Sequence, residues 1–451
     1  MNMNSQQKMG ENIQYSGYLH APRGVFKFWK RLYCVISENN FIEYSQKIGK
    51  ENFRIPIDKF CQIKTFSVHR RPYCFTITNG SQSISYQVKT KNERNDWVDK
   101  INAIINETIS QENKIPVTLN DFEIIKVIGR GYFGKVSLVR FKRNNKLYAL
   151  KSMSKAKLVQ YNYVDQILNE RQVLIQNNHP FLVSAHYAFQ TDSKIFIVLD
   201  YVPGGELFER LRKENCFSER RTKFYVTEVI LGLEHLHKNG VIYRDIKPEN
   251  ILIDEDGHIK ITDFGFAKPN MKTFTDTTTT FCGTPIYLAP EICRMQPYTR
   301  SVDWWELGVF MYELLTGEPP FFNRNPERVQ QNIINKPVKC PDYLSKEVVD
   351  LISKLLEKNP LKRLGAGPDD AEEIKRHPFF QDISWDDVLH KRVKPMWKPT
   401  IYYQTDTSNF DKEFTQEPTG VSLEDPDLVP TETQEAFEGF TCVAEDTNVI
   451  D

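Results

Sequence analysis

No apolar run in this chain approaches the roughly 20 residues that a membrane-spanning helix needs. The opening MNMNSQQKMGEN is polar and carries no leader-like apolar stretch, so the expectation is a protein neither inserted nor secreted. Eight cysteines are scattered without a C-x-x-C pair or metal-ligand spacing, which argues against a disulfide scaffold or zinc site and for reduced thiols, as in the cytoplasm. His235-x-His237 is the one close histidine pair and reads as structural. There is no basic tract or nucleic-acid-binding motif, so no nucleic acid is expected as a partner. Net charge is lacking too, because 59 Lys+Arg balance 59 Asp+Glu. That balance hides opposed ends: residues 1–115 carry 17 basic against 10 acidic side chains, and residues 391–451 carry 5 against 13, or +7 and −8. A basic first module favours an anionic partner such as a membrane surface.

A length of 451 residues allows two to three domains. The expected division is a β module over 13–110, a linker over 111–121 marked by Pro116, a large domain over 122–380 and an acidic, irregular tail over 381–451.

The most informative stretch is residues 243–265, YRDIKPENILIDEDGHIKITDFG. Two short alternating runs, ILI and HIKIT, flank the turn Asp254-Glu255-Asp256-Gly257, so a hairpin can bring its ends to one metal. Phosphoryl transfer needs what those ends carry. Asp245 would accept the proton of an incoming hydroxyl, Lys247 would steady the moving phosphoryl group, and Asn250 with Asp263 would hold Mg²⁺ across the phosphates of ATP.

Upstream, Gly129-x-Gly131-x-x-Gly134 lies between the strands FEIIKVI and VSLVRF, where glycines let a hairpin lie over phosphates. Gly129-x₄-Gly134-Lys135 nearly spells a Walker A loop, but Val136 stands where that loop needs Ser or Thr, and a strand follows instead of a helix. The nucleotide lysine must come from elsewhere.

These motifs resemble the eukaryotic protein kinase fold: bilobal, α+β, with catalytic hairpins on a mostly helical lobe. Tyr243, Ile246 and Lys247 resemble the AGC serine/threonine kinases in particular. The resemblance implies that Lys151 in LYALK pairs with Glu170 on the helix VDQILNERQVLI to orient the α- and β-phosphates. It also implies nucleotide contacts from Ile128, Val136 and Glu206, and from the backbone of Asp200 and Val202. Glu206, Glu249 and Glu313 match positions that bind arginines upstream of the target residue, which implies a kinase with a taste for basic protein substrates. Ile286 departs from the glutamate of close relatives. Thr280, in a run of four threonines, stands at the activation-loop phosphosite, where Arg244 and Lys268 would receive the phosphate of an upstream kinase. Gln166 replaces the histidine that couples that phosphate to the helix in protein kinase B.

The module over 13–110 shows short alternating strands, then a helix opened by Thr90 and Glu93 with Trp97, Ile101, Ile104 and Ile105 on one face. It resembles a pleckstrin-homology (PH) β-barrel with its C-terminal helix. Headgroup contacts would come from Arg23, Lys27 and Lys30, while Ala21, Leu32 and Ile84 stand where protein kinase B has basic residues; phosphoinositide binding, less specific anionic-membrane docking and protein binding all stay open. In the tail, Phe410 and Phe414 resemble aromatics that reach the nucleotide pocket, Ser422 falls at the turn-motif phosphosite, and Phe437-x-x-Phe440-Thr441 matches the AGC hydrophobic motif. The whole chain is thus similar to the protein kinase B (Akt) family, with recruitment to the plasma membrane implied. The alternative is a catalytically inactive scaffold that binds membranes or partners.

Overall fold

The computed structural model describes residues 13–23, 28–37, 39–47, 51–58, 61–68, 71–80, 82–113, 116–419 and 434–443. Lys27 and Ser422 lie outside them. Two compact units divide the chain near Pro116.

In the first unit, strands β1 (Ile13–Arg23), β2 (Phe28–Ser37), β3 (Asn40–Tyr44), β4 (Glu51–Pro56), β5 (Gln62–Val68), β6 (Arg71–Asn79) and β7 (Gln82–Gln87) form one sheet in the order β4-β3-β2-β1-β7-β6-β5. Helix α1 (Lys91–Asn113) follows. The Glu93 N–H donates to Thr90 Oγ1 (3.1 Å), and the Glu93 carboxylate accepts from the Lys89 N–H (3.1 Å), which fixes the helix start. Trp97, Ile101 and Ile104 are buried against Leu19, Phe41 and Phe75. Two expectations need correcting here. α1 runs to Asn113, into the stretch read as linker. β4 and β5 were not foreseen, because they are the two edges of the sheet and β4 buries only Ile55 of its six residues, too little to print an alternation on the sequence.

The second unit opens with β8 (Phe122–Arg130), β9 (Gly134–Phe141), β10 (Leu147–Ser154), β11 (Ala185–Gln190) and β12 (Lys194–Asp200), with α2 (Lys155–Gln160) and α3 (Val164–Gln176) inserted after β10. A larger helical part follows: α4 (Leu207–Glu214), α5 (Glu219–Lys238), α6 (Pro290–Cys293), α7 (Ser301–Thr316), α8 (Pro326–Asn335), α9 (Lys346–Leu355), α10 (Ala371–Lys375), α11 (Trp385–Leu389) and α12 (Lys412–Thr415), with the hairpin β13 (Ile251–Ile253) and β14 (Ile259–Ile261) between α5 and α6. The tail packs back on this unit. Its strand β15 (Cys442–Val443) pairs with β11 and extends the sheet to β15-β11-β12-β10-β9-β8. Among the described residues no helix is long and apolar enough to cross a membrane.

Candidate active site

Hairpin β13–β14 pairs Ile251 with Ile261, and the Thr262 N–H donates to the Asn250 carbonyl (2.9 Å), so residues 250 and 263 stand beside the same end of the ladder. The turn closes on Gly257, whose φ of 98° a side chain would resist; a Cβ there would also lie 2.2 Å from the Trp397 carbonyl. Asp263 is left-handed as well (φ 57°), a conformation that a short polar side chain tolerates and that clusters at functional sites.

Asp245 is buried, and three donors converge on its carboxylate: Asn250 Nδ2 at 2.6 Å, Lys247 Nζ at 2.9 Å and Thr284 Oγ1 at 2.7 Å. The loop carrying it hangs from α7. Asp303 accepts the N–H groups of Tyr243 (2.9 Å) and Arg244 (2.8 Å), and Glu306 accepts that of Ile246 (2.8 Å). His237 bridges Asp303 (2.8 Å) and Asp370 (2.9 Å); burial alone would depress its pKa, but the two carboxylates push it up to about 9, and it serves as a structural imidazolium. Thr284, Asp303 and Glu306 were missed in the sequence. The signal was there for the last two, as acids three residues apart inside the apolar run SVDWWELGVFM.

Above the hairpin, Lys151 on β10 reaches Glu170 on α3 at 2.5 Å and lies 3.8 Å from Asp263. Burial would lower the lysine's pKa, but the Glu170 and Asp263 carboxylates outweigh it and hold the ammonium form. Glu170 is buried within the apolar stripe of α3. The β8–β9 hairpin closes with the Gly131 N–H donating to the Gly134 carbonyl (2.9 Å), and a Cβ on Gly134 would fall 1.7 Å from the Ser152 carbonyl oxygen, so only glycine fits. Ile128 is buried before Gly129, and Val136 is half-buried after the loop. At the end of β12 the Asp200 carboxylate is tied to His186 (2.8 Å) and Lys260 (3.0 Å) and its N–H to the Ser184 carbonyl (3.1 Å), and Val202 is buried just beyond it.

A further residue was invisible in the pattern. Tyr163, just ahead of α3, packs its ring on Phe133 of the glycine-rich loop (4.5 Å between centroids), and its hydroxyl donates to the Gly265 carbonyl (3.4 Å). It ties the glycine-rich loop and the start of α3 to the segment that follows Asp263. Tyr163→Phe, which keeps the ring and loses the hydrogen bond, is therefore expected to lower the activity of protein unphosphorylated at Thr280 by a few-fold, the worth of about 1 kcal/mol, and to change the Thr280-phosphorylated form less. Steady-state rates of the two forms test this.

The three expected arginine-binding acids are brought together. Glu206 begins α4, Glu249 lies in the turn before β13 and Glu313 lies on α7. Desolvation in this groove and repulsion from Glu249, Glu209 and Asp411 push the Glu206 carboxyl up to about 7. Burial first, and then Glu249, raise Glu313 to about 7, against the hydrogen bond it accepts from the Tyr287 hydroxyl. Glu249 Oε2 is buried without a hydrogen-bond partner. Such a groove is short of a cation.

Thr280 is exposed, and its carbonyl accepts from the Tyr298 hydroxyl (2.6 Å), which itself accepts from Arg244 Nη1 (2.8 Å). Lys268 pairs by its backbone with Ile242, two residues before Arg244. In the tail, the Phe410 ring stacks with Tyr201 at 6.0 Å, Phe414 lies on α12, and Glu417 bridges Lys135 (2.5 Å) and Arg130 (3.2 Å) of the glycine-rich hairpin. Phe437 and Phe440 are fully buried beside α2 and α3, where Lys155 Nζ donates to Gln434 (2.6 Å) and Arg171 donates to the Gly439 (2.5 Å) and Phe440 (2.8 Å) carbonyls. Thr441 is exposed. In the first unit Arg23 ends β1, and Lys30 is exposed opposite Ala21; Ala21 and Leu32 are buried in the core and Ile84 is half-buried.

Comparison with known proteins bears on all three parts. The family described as Protein kinase domain matches residues 122–380, PH domain matches 13–106, and Protein kinase C terminal domain matches 404–442. The chain is 38% identical to the RAC family serine/threonine-protein kinase homolog of Dictyostelium discoideum over 442 residues, 96% of this chain and 98% of that one. It is 50% identical to serine/threonine-protein kinase gad8 of Schizosaccharomyces pombe over 302 residues, 67% of this chain and 52% of that one, and 47% identical to serine/threonine-protein kinase Sgk1 of Homo sapiens over 325 residues, 71% and 75%.

Proposed function

The chain belongs to the AGC serine/threonine protein kinases that carry a PH domain, with ATP and proteins as substrates; from that premise we propose how its own residues carry the reaction. Asp245 accepts the proton of the attacking serine or threonine hydroxyl, and Lys247, 2.9 Å from that carboxylate, offsets charge on the moving phosphoryl group. Lys151, held by Glu170, orients the α- and β-phosphates beneath the loop of Gly129, Gly131 and Gly134. Ile128 and Val136 flank the adenine, the backbone of Asp200 and Val202 hydrogen-bonds it, and Glu206 serves the ribose or an arginine.

Asn250 and Asp263 suit Mg²⁺. Asn250 commits its amide N–H₂ to Asp245 and so keeps its carbonyl oxygen for a hard cation, and Asp263 is a half-exposed carboxylate beside it. Two oxygen donors, with waters and phosphates completing the shell, is how this ion is usually held, and when bound it supplies charge neutralisation across the phosphates. The observation that carries this reading is the convergence of Lys247, Asn250 and Thr284 on Asp245 while the Lys151–Glu170 pair is formed. Its test is transfer of the γ-phosphate from Mg²⁺-ATP to a panel of Ser/Thr peptides.

The acid-lined groove supports a preference for arginine upstream of the target. Glu249→Gln is expected to raise KM for an arginine-bearing peptide by about tenfold or more, the worth of one charge-assisted hydrogen bond, with kcat little changed. The pH sign follows from the raised carboxyls. Glu206 and Glu313 are ionised above about 7 and take up protons as pH falls through it. KM for the arginine peptide should therefore rise between about pH 8 and pH 6, while that for an arginine-free peptide stays flatter. A peptide panel with no upstream preference would remove this assignment.

Phosphorylation of Thr280 and Thr441 by upstream kinases fits their exposed hydroxyls, and Ser422 is kept as a third site. The PH domain supports lipid or phosphoinositide binding, and on this reading the kinase works in the cytoplasm and is recruited to the plasma membrane.

A further inference from the structure

At the mouth of the β module, marked by Lys30, the core-facing positions Ala21, Leu32 and Ile84 offer a phosphate no donor; the outward face of the same strands differs. Strand alternation sends Leu19, Ala21, Leu32, Cys34, Tyr86 and Val88 into the core, so Tyr18, His20, Trp29, Arg31 and Gln87 point outward. The register lays His20 between Arg31 on β2 and Gln87 on β7, across three adjacent strands. Arg71, at the start of β6, donates to Gln87 (2.5 Å), and Lys89 lies two residues beyond Gln87. The three cations close around one histidine: besides burial, Arg31, Arg71 and Lys89 all lower the His20 pKa, and Glu93 alone opposes them.

Both guanidinium groups also sit over aromatic rings. Arg31 lies 4.1 Å over the Tyr18 ring and Arg71 4.6 Å over the Trp29 ring. Arginines fixed in this way lose little freedom on gripping a phosphate, and their planar forks suit its oxygens. Trp and Tyr beside them favour the headgroup level of a bilayer, where one end of the ring is apolar and the other wet.

We propose that this outer face, built on Arg31, Arg71 and Lys89, takes the phosphorylated headgroups of an anionic membrane, in place of the mouth marked by Lys30. The inference rests on the reading of the module as membrane-recruiting and adds which face does it.

The test is co-sedimentation of the full chain with vesicles of phosphatidylcholine alone, with phosphatidylserine, or with a 3-phosphoinositide. One surface cation is worth about fivefold in vesicle affinity. Arg31→Gln with Arg71→Gln is thus expected to weaken binding to the charged vesicles by about twentyfold or more, Lys89→Gln, an exposed side chain with little packing to lose, by about fivefold, and Lys30→Gln by less than Lys89→Gln. A larger loss from Lys30→Gln than from the double variant, or a Lys89→Gln protein that binds like the parent, would overturn the proposal and leave membrane recruitment standing. Failure of the parent to bind any charged vesicle would overturn both.

Discussion

Asp245→Asn is expected to lower kcat for peptide phosphorylation by about a thousandfold, within the range that positioned proton transfer contributes, and to leave ATP binding nearly unchanged. Two effects add. The amide cannot take the hydroxyl proton, and its N–H₂ turns a donor toward donors: Asn250 Nδ2, Lys247 Nζ and Thr284 Oγ1 all point at the carboxylate within 2.9 Å. Its N–H₂ must face either Asn250 and Lys247, N–H against N–H, or Thr284, whose hydroxyl must then turn away from donating. KM for ATP should move little, since the phosphates meet Lys151 and the glycine-rich loop. Titration of a fluorescent nucleotide beside a single-turnover assay separates the two. The same loss from Thr284→Val, which cannot donate to Asp245, would be smaller, because the hydroxyl positions the base and does not replace it.

Phe437→Ala with Phe440→Ala is expected to release the tail. Both rings are fully buried, and truncating a buried Phe costs about 3–5 kcal/mol, more than a ten-residue segment fastened by a two-residue strand can lose and stay docked. The rest of the unit keeps its own core, so the expected change is local: faster amide exchange at residues 434–443 and along β11, with little shift in the main unfolding transition. Activity falls with it. Arg171, which holds the Gly439 and Phe440 carbonyls, is the neighbour of Glu170 on α3; freeing it loosens the helix that presents Glu170 to Lys151. A loss of about tenfold or more in kcat/KM corresponds to about 1.4 kcal/mol of alignment.

How much could be read in the sequence depended on whether the chemistry was local. Residues 243–265 carry a hairpin, its turn and four candidate site residues within one short stretch, so spacing alone placed Asp245, Lys247, Asn250 and Asp263 at the same end of the hairpin, as the structure does. The pairing of Lys151 with Glu170, 19 residues apart, came from resemblance, and its geometry followed. What was missed acts at a distance or at an edge. Thr284 lies 39 residues from Asp245 and looks like any threonine in a loop. Tyr163 shows its role only when the glycine-rich loop folds over it. β15 is two residues long and takes its order from β11, and β4 and β5 bury too little to show a period.

The most direct single measurement is phosphate transfer by the purified chain, phosphorylated at Thr280, with ATP binding followed in the same sample. The expected result is saturable, Mg²⁺-dependent transfer of the γ-phosphate to an arginine-bearing Ser/Thr peptide, lost in Asp245→Asn while ATP still binds. Bound ATP with no transfer by the parent chain would contradict the account and favour a scaffold that keeps the fold of a kinase without its reaction.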